Sequence, residues 1–145
     1  MPSRILHHWQ LLAVAVTVLV VPAAAPAADR ARYDEILEMI DDNLHFTAHL
    51  TWAVTAKTIA VLRDQVSTSD IPVLVEMLAD EDVTAHVTAG ALLATMGEAA
   101  RPALEAAAAS PNWQVEAEAR QALQRIEDCR TSPEVMNPDV CPRRP

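Results

Sequence analysis

Residues 71–97 and 101–127 are two copies of one pattern. The segment IPVLVEMLADEDVTAHVTAGALLATMG, moved thirty positions along the chain, falls on RPALEAAAASPNWQVEAEARQALQRIE. Pro72 lands on Pro102, Leu74 on Leu104, Ala79 on Ala109, Ala89 on Ala119 and Leu93 on Leu123. Such a period constrains the fold more tightly than composition does. One small unit is written twice, and a unit of that size cannot bury its apolar face alone. Stacked copies bury it against each other, so the same residues recur at a fixed interval.

The local grammar is helical. Apart from Gly90 and Gly97 the chain has no glycine, and Ala, Leu and Glu, all good helix formers, are frequent. No stretch alternates apolar and polar residues long enough to argue for a strand. A first helix is expected at about residues 30–43, with Tyr33, Ile36, Leu37, Ile40 and Leu44 on one stripe. A break follows between Asp42 and Thr51. A second helix spans about 52–64, carrying Trp52, Ala56, Ile59, Ala60 and Leu62. The third, 71–79, opens on Pro72 and takes Ser69 or Asp70 as its cap. Asp80, Glu81 and Asp82 start the fourth, 83–96, and Gly97 ends it. The fifth runs from Ala99 or Arg101 to Ala109. The sixth spans 112–128, with Ser110 and Pro111 expected as its cap and first-turn pair. From Cys129 onward prolines are frequent and no apolar stripe continues.

The second helix of each unit carries the repeat best: Ala85, Ala89, Leu92, Leu93 and Met96 match Val115, Ala119, Ala122, Leu123 and Ile126. Small residues let neighbouring helices approach, and the large ones fill the layer between them. With DVTAHVTAGALLATMG and NWQVEAEARQALQRIE each preceded by a short helix with an early proline, this pattern resembles the short HEAT-like repeats of bilin-lyase-like proteins and bacterial scaffold proteins. The resemblance implies an all-α, solenoid-type right-handed stack of antiparallel hairpins. Residues 67–128 would form two repeats and residues 28–66 a degenerate N-terminal unit, where AVTAKTIAVL echoes HVTAGALLAT. Residues 129–145 would form an irregular tail. One departure stands out. The family usually places an arginine just after the Val-type position, pairing with an acidic residue of the next repeat; here His86 and Glu116 stand there.

The N-terminal residues are a different kind of text. Arg4, the apolar run LLAVAVTVLVV and the small-residue exit before Asp29 are the order of a secretory signal peptide. Ala25 and Ala27 place cleavage after Ala27, with Ala28 as the alternative. The run is short for a membrane span of about 20 residues; an uncleaved anchor is the other reading, and the mature chain is expected to have no span. An exported, periplasmic or secreted protein is therefore expected. The formal charge of −9 argues against phosphate-backbone binding, which Lys and Arg drive, and suits solubility. In an exported chain Cys129 and Cys141 read as a disulfide closing CRTSPEVMNPDVC.

Candidates for chemistry are few. His45 and His49 lie four apart on a helix and could share a metal ion, with Asp41 and Asp42 one turn away, but zinc sites usually need three or four protein ligands. There is no glycine-flanked serine, no phosphate-cradling loop and no thiol expected to be free. Asp80, Glu81 and Asp82 sit where acidic residues favour a helix start. Trp52 and Trp113 each begin the second helix of a unit, and are either core residues or anchors for a partner. The expected function is non-enzymatic, without cofactor: a small module presenting a surface to an unknown protein partner in the cell envelope. The alternatives are a periplasmic metal-binding protein using His45 and His49, and a lyase-type enzyme by kinship with the family. The lyases act on chromophores inside cells, which an export signal disfavours.

Overall fold

The computed structural model describes residues 27–44 and 52–143, with side chains described for 30–43 and 56–143. The expected signal segment lies outside the described residues apart from Ala27, and so do His45, His49 and most of the expected break before Trp52. The described residues are all-helical, with no strand among them. Six α-helices follow in order: α1 (Ala27–Leu44), α2 (Trp52–Leu62), α3 (Ile71–Met77), α4 (Val83–Met96), α5 (Arg101–Ala107) and α6 (Trp113–Thr131). Among them no helix is long and apolar enough to cross a membrane.

The thirty-residue interval reappears in the helix bounds. α5 begins thirty residues after α3, and α6 thirty residues after α4. Pro72 and Pro102 occupy the first turns of α3 and α5, where a missing N–H leaves no bond unmade. The turn chemistry repeats as well. Asp80 accepts the Asp82 N–H at 2.8 Å, and Asp82 caps α4 by accepting the Thr84 N–H at 2.7 Å. One interval later Ser110 accepts the Asn112 N–H at 3.1 Å, and Asn112 caps α6 by accepting the Gln114 N–H at 3.0 Å. These side chains satisfy donors that a helix start leaves without partners.

Several boundaries differ from expectation, each for a physical reason. The cap of α6 is Asn112, so Ser110 and Pro111 belong to the turn before it. Asp70 stands at the N-cap position of α3, but its side chain makes no capping bond there. The buried Asp70 carboxylate instead turns to the Ser67 N–H at 2.8 Å and to Arg32 of α1, whose Nε and Nη2 donate at 2.9 and 3.1 Å. α6 runs on to Thr131 and so includes Cys129. Its buried stripe is Val115, Ala119, Ala122, Ile126 and Cys129, the spacing of one helix face. Here the cysteine acts as one more small apolar residue on the stripe.

Side chains from every helix build one core, with Ile36 and Ile40, Ile59 and Leu62, Leu74 and Met77, Leu92 and Leu93, and Leu104 wholly buried. Leu93 is among these, while its counterpart Leu123 is half-buried and packs against the same core. α1 touches α2, α3 and α4; α3 touches α4 and α5; α4 touches α2 and α6; and α5 packs on α6. Ala89 and Ala119 are fully buried, small enough for α4 and α6 to come close.

The C-terminal segment is less irregular than its prolines suggest. It forms a 3-10 turn at Pro138–Val140 that packs on α2 and α4. Cys141 is then bonded to Cys129, with Cα atoms 5.6 Å apart. The segment thus leaves α6, crosses to α2 and returns.

Candidate functional site

Three features hold side chains whose placement goes beyond core packing. The first is a pair of exposed apolar side chains at helix starts. α2, α4 and α6 open on Trp52, Val83 and Trp113. Trp113 is 77% exposed and Val83 67%. Core packing, the ordinary role of tryptophan, therefore does not apply to Trp113. The side chain of Trp52 lies outside the described residues.

The second feature is a polar cluster where α4 meets α6. His86 Nδ1 lies 3.1 Å from the Asp80 carbonyl and 3.1 Å from Gln114 Nε2. Gln114 also donates to the carbonyls of Leu78 and Asp80 at 3.0 and 2.7 Å. On its other side His86 Nε2 stands 3.6 Å from Glu118 of α6. His86 therefore does link α4 to α6, although its position carries no arginine. Glu116, at the matching position, pairs with Arg120 within α6 at 3.0 Å. Gly90 makes room for the approach: a Cβ there would lie 3.3 Å from Glu118 Oε2.

Tyr33 of α1 donates its hydroxyl to Asp80. Burial, and then the Asp80 partner, push the phenol pKa up, while hydrogen bonds from Tyr33 and the Asp82 N–H hold the Asp80 carboxyl below its usual range. Asp80 and Asp82 are thus occupied in ordering the turn, as their place at a helix start suggested. The cluster ties α1, α4 and α6 to the turn before α4.

The third feature is a cleft of about 970 Å³ between the end of α2, the end of α6 and the C-terminal segment. Its lining includes Arg63, Arg130, Arg143, Glu98 and the Cys129–Cys141 bridge. Arg63, just past α2, donates Nη1 to the carbonyls of Pro138 and Asp139 at 3.3 and 3.2 Å. Its Nε is buried without a hydrogen-bond partner. Arg143 pairs with Asp64, and Arg130 Nε donates to Glu127 at 3.0 Å. Glu98 is held by Arg101 at 2.7 Å, which keeps its carboxyl below the usual range.

The structure thus joins Cys129 to Cys141 as expected and exposes Trp113, while the metal candidates His45 and His49 lie outside the described residues. Among the described residues no group of three His, Cys, Asp or Glu side chains is placed to hold a metal ion. Sequence reasoning missed the arginine cleft, because Arg63 and Arg143 are eighty positions apart and no local pattern joins them. The one available signal was charge: Arg130, Arg143 and Arg144 gather around the cysteine loop of an otherwise acidic chain. Comparison with protein-family models, curated proteins and solved structures finds no match for this chain.

Proposed function

We propose that the chain is an exported HEAT-like repeat protein, a small protein-binding or scaffold module in the cell envelope. Three observations favour stacked helical hairpins as its architecture. Helix bounds and cap chemistry recur at thirty residues. α3 pairs with α4 and α5 with α6, while α3 touches α5 and α4 touches α6. Equivalent positions are buried together, Leu74 with Leu104 and Ala89 with Ala119. Such stacks offer extended surfaces to partners, although a fold alone does not fix a function.

The observation that carries the reading is Trp113. An indole 77% exposed costs solubility unless something covers it, and tryptophan is prominent among residues that dominate interface energetics. Val83 stands exposed at the matching position of the preceding copy. The mechanism is burial of these side chains against a partner.

The test compares the mature protein with Trp113→Ser as bait in an envelope extract. The variant is expected to melt at the same temperature and to bind the captured partner about thirtyfold more weakly, as loss of a hot-spot residue implies. In a Trp52→Phe background the remaining emission should peak near that of free indole. Blue-shifted emission, or a partner held equally well by the variant, would refute the reading.

A further inference from the structure

We propose that the cleft beside the disulfide binds an extended acidic peptide segment, with Arg63, Arg130 and Arg143 holding its carboxylates. This rests on the protein-binding reading above and names the chemistry of the partner. The charge distribution carries it first. The chain has a formal charge of −9, yet the lining of the cleft holds three arginines against one glutamate. A concave site with an excess of one sign and low-dielectric walls draws in the opposite charge. On an acidic chain, this cleft gathers three arginines in one lining.

Shape decides the kind of anion. Small-molecule pockets run from about 300 to about 1,000 Å³, and this cleft, at about 970 Å³, stands at the upper end. A second hollow of about 270 Å³ adjoins it, sharing Arg63, Pro142 and Arg143. That extent suits a chain segment better than a compact metabolite. Pro133, Pro138 and Pro142 supply stiff apolar wall, and the Cys129–Cys141 bond anchors it. Much of the ordering that binding requires is therefore present beforehand.

The arginines have capacity to spare. Arg130 and Arg143 are each 65% exposed at the side chain, and their partners Glu127 and Asp64 are exposed too. Surface pairs of this kind contribute little to stability, so exchanging either partner for a peptide carboxylate loses little. Arg63 is the most enclosed of the three; its Nη1 is held by the Pro138 and Asp139 carbonyls, so it adds its charge to the wall while the two exposed arginines supply the exchangeable donors. Guanidinium forks match carboxylates in geometry as well as in charge.

The test is fluorescence anisotropy with the oxidised protein and a labelled short peptide of Glu, Pro and Val, set against the same peptide with Gln in place of Glu. The Glu peptide is expected to bind at least about tenfold more tightly, with affinity falling as salt rises from about 50 mM to about 300 mM. The double variant Arg130→Gln/Arg143→Gln should lose about tenfold in affinity at an unchanged melting temperature. Arg120→Gln, on α6 away from the cleft lining, should bind like the parent. Equal binding of the two peptides, or full binding by the double variant, would overturn the proposal. If Trp113→Ser still abolishes partner capture while the two peptides bind alike, the cleft alone is refuted. If the Glu peptide binds and capture ignores Trp113, the cleft is supported and the exposed pair is not.

Discussion

Gly97 shows how one residue can be required twice over. It ends α4 with φ of 61°, a left-handed conformation that side chains with a Cβ rarely adopt. A Cβ at Gly97 would also stand 2.9 Å from Pro142 Cγ, since the returning C-terminal segment packs against it. Its role as a helix stop was legible in the sequence; its contact with Pro142 was not, because that contact depends on where the tail lands. Gly97→Ala is predicted to lower unfolding free energy by about 1–3 kcal/mol, read from urea denaturation. An unchanged midpoint would mean that the tail does not press on this turn. Asp70 teaches the converse. As a residue beside a helix start it read as a cap, but Arg32, thirty-eight positions earlier, takes its carboxylate. Burial pushes the Asp70 carboxyl up, and the hydrogen bonds from Arg32 and Ser67 outweigh that and bring it below its usual range.

At the scale of elements, legibility followed how local the signal was. α4 starts and stops where expected because its two ends are written locally, an aspartate cap and a glycine stop. α6 outran its expected end because Cys129 was read as a partner for Cys141 and not as the next residue of the apolar stripe; it is both. The C-terminal segment was legible as tethered but not as packed, since Arg63 and Val140, which fix it to the rest, carry no local pattern. Replacing both cysteines, as Cys129→Ser/Cys141→Ser, is predicted to lower stability by roughly 2–3 kcal/mol, the loop-closure value for a ring of this size. Helical content by far-UV circular dichroism should remain close to the parent's, because α6 keeps its own buried stripe. Unaltered stability in denaturant would show that the packed segment needs no covalent tie.

For the whole molecule, the repeat was the most readable property and the arginine cleft the least. A recurring stripe of Ala, Leu, Met and Ile is a pattern within the chain, so the sequence displays it directly. The cleft joins the ends of two helices and a tail, and only the packed molecule brings them together. The account depends on α5 and α6 drawing their stability from α3 and α4, through layers that include Leu74 with Leu104 and Ala89 with Ala119. A helical pair of this length buries too little apolar surface to offset its loss of conformational freedom. The direct measurement is thermal unfolding, followed by circular dichroism, of a peptide comprising residues 98–143 beside the full-length mature protein. The account predicts that the full protein melts cooperatively while the peptide shows weak helicity and no transition; a cooperative melt with native-like helicity in the peptide alone would contradict it.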